Sequence, residues 1–333
     1  MASDQPYCHV HIGAPKTGST FLQRVFFENR DALRARGLLY PEVSLRGFGH
    51  HDLAFLLAGG YPEWATAQER SLESLSDDLA RAVAGFSASV LLSSENFYLL
   101  PDPPALKNLL ETTGALAGRR ARIIVYLRRQ DDAHESWYNQ RVKAQGDTGD
   151  IEESIARAHD LWDYPRQLAL WGETFGEDNL AVRRYPPSDT GAAPLVEDMF
   201  GALEIGAAGL ALPHQHVNTA HNRDVLAFQR QLNRLPLSPQ EKRRFHHELM
   251  ALSTRAKGLG LFDERPLLSP AERRTIMERY AAGNAEISKR YFAGAPLFAD
   301  EPAAPEAPAS AQPAGLTNEK LLLILGWILA QTR

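Results

Sequence analysis

Residues 8–26 read CHVHIGAPKTGSTFLQRVF, and three kinds of segment follow one another within them. The run at residues 8–12 is short, apolar and partly β-branched, and it stops at Gly13, which predicts a buried strand. Residues 13–20 are rich in Gly, Pro, Ser and Thr and predict a loop. From Phe21 onward apolar residues recur at helical spacing on one face. Strand, glycine loop and helix in this order are typical of the start of a nucleotide-binding α/β domain.

The alternation of strand-like and helix-like segments continues along the chain. Further strands are predicted at residues 89–93, 122–127 and 180–184, and helices between them at residues 76–84 and 131–144. This alternation predicts right-handed βαβ crossovers and one doubly wound α/β sheet. Together with the glycine loop after the first strand, the expected fold is of the P-loop type, in which a central parallel sheet is flanked by helices in three layers. The last third of the chain is mostly helical, with helices predicted at residues 224–233, 239–257 and 270–292.

Composition excludes several classes of protein. The chain has 333 residues, of which 44% are hydrophobic and 23% charged, as in ordinary globular proteins. The formal net charge of −5 argues against general binding of nucleic acids. The single cysteine, Cys8, allows no intrachain disulfide and no cysteine-rich zinc site.

The C-terminal region differs in composition from the rest. Residues 299–315 are rich in Pro and Ala and predict a linker between a P-loop-type domain at 1–298 and an apolar helix at 316–333. That helix is apolar nearly all round, which leaves two alternatives: docking onto the body or a partner subunit, or anchoring at a membrane surface. With no secretory signal at its start, the chain is expected in the bacterial cytoplasm, either free or peripheral to the inner membrane.

The loop at residues 13–20 has the chemistry of an anion site. Backbone N–H groups at such a turn and the positive end of the following helix together attract phosphate-like groups. The spacing of Gly13 and Gly18 matches a nucleoside-triphosphate loop, but Ser19 stands where that motif requires lysine. The lysine lies inside the loop instead, at Lys16.

The segment Pro15-Lys16-Thr17-Gly18-Ser19-Thr20 resembles the phosphosulfate loop of sulfotransferases that use 3′-phosphoadenosine 5′-phosphosulfate (PAPS). The resemblance implies that PAPS is the co-substrate and that these six residues bind its 5′-phosphosulfate. It also implies that Lys16 touches the bridging oxygen, while the end of the loop, from Gly18 to Thr20, binds the 5′-phosphate.

A second pair of residues fits the same family. Its 3′-phosphate signature is an arginine at a strand end and a serine eight residues later, and Arg128 and Ser136 have that spacing. Arg128 offers a fork of charge-assisted donors, and Ser136 a hydroxyl from the first turns of a helix. Arg129-Gln130 replaces the Asn-Pro often found in the family, whereas Ser136-Trp137-Tyr138 looks like the heparan-type and bacterial carbohydrate sulfotransferases.

Sulfuryl transfer to a hydroxyl or amine also needs a base near the loop. Glu95 follows the predicted strand at 89–93 and resembles the glutamate base of the heparan-type enzymes. His50 is the alternative base, because imidazole titrates near neutral pH. With Glu95 preferred as the base, we expect His50 to contact the acceptor. The spacing of His214, His216 and His221 loosely suggests a metal, but no cysteine or carboxylate supports one, so no metal is expected.

The sequence therefore predicts an enzyme that transfers a sulfuryl group from PAPS to a carbohydrate or other small metabolite. Two other functions stay open at this point. One is a P-loop kinase, and the other is a non-catalytic nucleotide-binding module that recruits a partner, or a second copy of the chain, through residues 316–333. Nucleic acid is not an expected partner.

Overall fold

The computed structural model describes residues 5–187, 190–213, 220–299 and 315–331. The chain divides into two compact units. The first unit comprises Met1–Arg128, Asp163–Gln215 and Gly283–Leu297, and the second comprises Arg129–Trp162, His216–Ala282 and Phe298–Arg333. The predicted boundaries at residues 298 and 315 follow composition rather than contacts and stay a prediction, and residues 300–314 of that linker lie outside the described residues.

The first unit contains the parallel sheet. Its strands are β1 (Tyr7–His11), β2 (Leu38–Leu39), β3 (Ser89–Ser93), β4 (Arg120–Leu127) and β5 (Leu180–Arg184). They form a five-stranded sheet in the order β2-β3-β1-β4-β5, and each neighbouring pair is parallel. The predicted α/β architecture, a central parallel sheet flanked by helices, is confirmed. Because β1 lies between β3 and β4, the loop after β1 begins where three strand ends meet.

The helices of the first unit lie between and after these strands in the sequence. They are α1 (Ser19–Glu28), α2 (Arg30–Ala35), α3 (His51–Leu57), α4 (Leu72–Val83), α5 (Pro103–Thr112), α8 (Tyr164–Phe175) and α9 (Ala193–Ala202). Leu22 and Phe26 of α1 and Met199 of α9 pack with Ile124 and Tyr126 of β4 in one buried cluster. Since side chains alternate along a strand, Ile123 and Val125 bury on the opposite face of β4.

The second unit is helical. It holds α6 (Gln130–Gln145), α7 (Ile151–Ala158), α10 (Arg223–Leu232), α11 (Pro239–Arg255), part of α12 (Pro270–Tyr291) and α13 (Asn318–Gln331). Helix α13 packs on α10 and α11, where Ile324 and Ile328 join a buried cluster with Val225 and Leu249. Lys320 of α13 also pairs with the buried carboxylate of Asp224 at 2.6 Å. Among the described residues, no helix combines the length and apolar character that crossing a bilayer requires.

Candidate functional site

The loop between β1 and α1 is held by hydrogen bonds to the neighbouring strand and within itself. Ile12 N–H donates to the carbonyl of Ile124 at 2.9 Å, which continues the sheet one residue beyond β1. The Thr17 hydroxyl donates to the carbonyl of Ala14 at 2.6 Å, which closes the turn. Three residues adopt positive φ, namely Gly13 at 31°, Lys16 at 69° and Gly18 at 76°. The chain therefore turns sharply before it enters the helix.

Helix α1 begins without a side-chain cap. Gly18 is its N-cap residue and provides no side-chain cap, and the first turn of α1 carries no acidic residue. Such amides carry partial positive charge and are available to an anion. Ser19 and Thr17 are buried and Thr20 is exposed, so the hydroxyls of the loop differ in access. Pro15 is buried as well, and it stiffens the turn before Lys16.

Lys16 stands in the left-handed backbone region, where residues other than glycine are uncommon. Nη1 of Arg128 donates to the carbonyl oxygen of Lys16 at 3.0 Å. The Tyr164 hydroxyl braces the backbone of Arg128 from both sides, since it accepts from its N–H at 3.2 Å and donates to its carbonyl at 2.5 Å. The structure thus brings together two of the predicted site residues, Lys16 in the loop after β1 and Arg128 at the end of β4.

Glu95 lies beside the start of α1. Its Oε2 atom accepts from Nε2 of Gln23 at 2.9 Å and lies 3.8 Å from Nδ1 of His51. Burial acts to raise the pKa of Glu95, but the charge of His51 and hydrogen bonds from Gln23, its own backbone and Ser19 outweigh it and hold that pKa below the ordinary glutamate value. The side chain is 25% exposed, so an ionised carboxylate faces both the protein and solvent.

His50 and His51 occupy different environments. His50 is fully buried; its Nε2 lies 2.9 Å from the carbonyl of Pro41, and its Nδ1 accepts from the N–H of Ser93 at 3.1 Å. Burial lowers the pKa of His50 to about 4, although these two backbone hydrogen bonds act in the opposite direction. With both ring nitrogens engaged inside the protein, His50 is placed to fix the backbone near the end of β3 and not to reach an acceptor. His51 is 14% exposed and lies beside Glu95.

Gln23, His51 and Gly49 belong to this site, although the sequence assigned a role to none of them. Gln23 is a polar residue that is 1% exposed on an otherwise apolar helix face, and this pattern is the signal that could have marked it. A Cβ at Gly49 would lie 2.7 Å from Cδ of Gln23 and 2.8 Å from Nε2 of His51. A side chain at position 49 would therefore displace Gln23 and His51, two of the residues that contact Glu95.

His11, the last residue of β1, lies beneath the loop. Nδ1 of His11 lies 2.8 Å from the Ser93 hydroxyl, and its Nε2 has no hydrogen-bond partner among the described residues. A Cβ at Gly13 would lie 3.0 Å from that Nε2 atom. Burial lowers the pKa of His11 to about 4, although the charge of Glu95 acts in the opposite direction. His11 therefore supports the loop from below as a neutral residue.

Two other predictions concern residues elsewhere. Ser136 lies in α6, which belongs to the second unit, and its pairing with Arg128 rests on their spacing in sequence. His214 and His216 lie outside the described residues. Within the part of the chain that the structure describes, no three His, Cys, Asp or Glu side chains converge as metal ligands would.

Comparisons with known proteins give limited matches. No family model matches the chain. An uncharacterized protein of Archaeoglobus fulgidus is 26% identical over 204 residues, which are 61% of this chain and 54% of that protein. The chain thus spans about half the length of this relative. Among solved structures, a sulfotransferase from Alicyclobacillus acidocaldarius is similar with a TM-score of 0.40 and 17% identity, over 77% of this chain and 96% of that chain.

Proposed function

We propose that this protein is a sulfotransferase that moves a sulfuryl group from PAPS to a hydroxyl or amine of a carbohydrate or other small metabolite. The observation that carries the proposal is the position of Lys16 inside the loop after the central strand. A kinase-type loop would have its lysine after Gly18, where this chain has Ser19 at the start of α1. A lysine within the turn suits an anionic group that binds directly at the loop.

The donors around the loop fit a phosphosulfate. The uncapped amides of α1 and the hydroxyls of Thr17, Ser19 and Thr20 suit the oxygens of a 5′-phosphate. Lys16 brings an ammonium group to the bridging oxygen, where negative charge develops as the sulfur–oxygen bond breaks. Arg128 and Ser136 are the proposed contacts for the 3′-phosphate. The role of Ser136 rests on its position eight residues after Arg128 in the sequence.

The acceptor side of the reaction is assigned to Glu95. In an in-line displacement the acceptor oxygen forms a bond to sulfur, its proton passes to the Glu95 carboxylate, and adenosine 3′,5′-bisphosphate leaves with the bridging oxygen. A pKa below the ordinary value keeps Glu95 ionised at neutral pH and thus able to accept that proton. We assign His51, rather than His50, as the histidine that positions Glu95, because it is the one beside the carboxylate.

The acceptor class rests on the resemblance of Ser136-Trp137-Tyr138 to the carbohydrate enzymes. An exposed aromatic side chain, separated from His51 by one buried ring, is compatible with a sugar. Phe55 stacks near His51 with ring centroids 6.5 Å apart, and Trp64, which is 44% exposed, packs edge-on against Phe55 at 5.6 Å. An exposed indole can pack against the apolar face of a sugar ring or of another small metabolite.

The test is donor binding and transfer by the full chain. Calorimetry should show binding of adenosine 3′,5′-bisphosphate, and ³⁵S-labelled PAPS should label an acceptor in a panel of oligosaccharides, lipid-linked glycans and small phenols. Lys16→Ala should remove most transfer, whereas Lys289→Ala, at an exposed lysine of α12, should not. Binding of ATP with Mg²⁺ and none of the bisphosphate would overturn the proposal in favour of a kinase.

A further inference from the structure

Three imidazoles form a row in the second unit. His221 precedes α10, and His246 and His247 are neighbours on α11. The ring centroids of His221 and His246 are 5.8 Å apart, and those of His246 and His247 are 5.5 Å apart. His221 is 4% exposed, His246 is half-buried and His247 is exposed. The row therefore runs from the interior of the unit to solvent.

The inner two rings have unsatisfied nitrogens. Nδ1 of His221 lies 3.4 Å from the Ser253 hydroxyl, while its Nε2 and Nδ1 of His246 are buried with no hydrogen-bond partner among the described residues. The His221 backbone is fixed by Asn139, whose amide donates to its carbonyl at 3.2 Å and accepts from its N–H at 3.4 Å. Buried polar atoms are normally paired, so two unpaired nitrogens on adjacent rings indicate an absent partner.

Lys143 is the charged side chain that acts on both inner rings. Burial lowers the pKa of His221 to about 3, and the charges of Lys143 and His246 lower it further. Burial likewise lowers the pKa of His246 to about 4, with Lys143 and His247 adding to the effect. Lys143 is 8% exposed on α6, and burial lowers its pKa also. An anion placed here would offset the positive charge of Lys143, which disfavours protonation of both rings.

We propose that Lys143, His221 and His246 form a binding site for a tetrahedral oxyanion, a phosphate or sulfate group. When Nδ1 of His221 accepts from Ser253, the ring proton lies on Nε2, and that atom becomes a donor. The ammonium of Lys143 adds the charge that a dianion needs. Ser136 lies on the same face of α6, seven residues before Lys143, so this group is about 10 Å along the helix from the predicted 3′-phosphate residue. The site does not depend on the proposed transferase activity.

A metal ion is the alternative ligand for unpaired imidazoles. Lys143 disfavours it, because a divalent cation would be placed near an ammonium group. An oxyanion is attracted by the same charge. Binding of zinc at these residues would therefore contradict the proposed oxyanion site.

The experiment is calorimetric titration of the full chain with inorganic phosphate, sulfate and glucose 6-phosphate at constant ionic strength. We expect saturable binding that His246→Gln weakens at least tenfold and that His159→Gln, at a histidine 55% exposed in the same unit, leaves unchanged. Binding should persist in Lys16→Ala, which separates this site from the loop. Tighter binding of the ester would identify a substrate group, and tighter binding of inorganic phosphate a free ion; both support the site.

Proton uptake gives a readout that does not depend on substitutions. A bound oxyanion raises the pKa of His221 and His246, so binding near neutral pH should take up protons and strengthen as the pH falls. Titration in two buffers of different ionisation enthalpy measures that uptake. Absence of saturable binding of all three probes, equal binding by His246→Gln, or preferential binding of Zn²⁺ would overturn the proposal.

Discussion

The guanidinium of Arg128 donates to the carbonyl of Lys16 at 3.0 Å and so joins the end of β4 to the loop after β1. Lys16 adopts φ of 69°, and this bond holds the carbonyl of a residue whose backbone conformation is otherwise unfavourable. Arg128 therefore has a structural role in shaping the loop in addition to its proposed contact with the donor.

Arg128→Lys keeps the charge but loses the fork of donors, so we expect it to weaken binding of adenosine 3′,5′-bisphosphate by roughly tenfold to a hundredfold. Calorimetry should also show that preference for the bisphosphate over AMP shrinks in Arg128→Lys and in Ser136→Ala. Arg184→Lys is the matched control, because Arg184 ends β5 and is exposed. An unchanged preference in Arg128→Lys would remove that residue from the 3′-phosphate site.

Glu95→Gln should lower kcat about 10²–10⁴-fold if Glu95 is the base, with the fold intact. Because the pKa of Glu95 lies below the ordinary glutamate value, transfer by the native enzyme should not decline until the pH is below that value. His51→Asn should lower kcat less and raise the pH of the acid limb, since it removes the charge that helps to keep Glu95 ionised. A native acid limb near pH 6.5 would instead point to a histidine base.

Gly18→Ala should destabilise the first unit through two effects. A Cβ there would lie 2.6 Å from Cδ2 of Leu195, and φ is 76°. Gly85 has φ of 71° with nothing within 4 Å of its Cβ position, so Gly85→Ala measures the backbone effect alone, about 1 kcal/mol. Chemical denaturation should show that the loss in free energy of unfolding is about 1–3 kcal/mol larger for Gly18→Ala than for Gly85→Ala, because the added methyl group overpacks against Leu195. Equal losses would show that Leu195 moves aside freely.

Acid should destabilise the protein through His50. Its pKa is about 4 in the folded state and near 6.5 when unfolded, so the unfolded chain binds the proton first as the pH falls. Stability is therefore expected to fall from about pH 6.5 down to about pH 4 and to level off for this group below that. In His50→Gln the slope of the free energy of unfolding against pH should be shallower over this interval. A slope unaltered in His50→Gln would contradict the assignment.

The docked helix α13 gives a paired test of packing. Ile324 is 0% exposed and Leu322 is 70% exposed on the same helix. Ile324→Ala should lower the free energy of unfolding by about 2–5 kcal/mol, because it opens a cavity against α10 and α11, while Leu322→Ala should change it by less than about 1 kcal/mol. Urea denaturation of the full chain measures both. Similar losses in the two variants would mean that the outer face is also covered in solution.

Elements with a strong local pattern were predictable, and their ends were less so. The strands at residues 89–93 and 180–184 agree with the structure, because an apolar run bounded by turn residues is a local property. Helix α4 begins at Leu72, four residues before the predicted start, because the Ser71 hydroxyl caps it by accepting from the Ser74 N–H. Strand β2 has two residues and was missed, since it exists only through its pairing with β3.

The amino-acid order by itself determined the strand, loop and helix around Lys16, since spacing and residue type act over a few positions. It also placed Glu95 and Arg128 at strand ends. Only the tertiary structure decided which of two adjacent histidines lies beside Glu95. The ring nitrogens of His50 contact the backbone of Pro41 and Ser93, which lie 9 and 43 residues away in the sequence, so this ring is not available to Glu95. The same holds for Gln23, whose amide meets Glu95 only after α1 packs beside the end of β3. Hydrogen bonds between distant segments depend on strand register and on burial, and a local sequence pattern predicts neither of these.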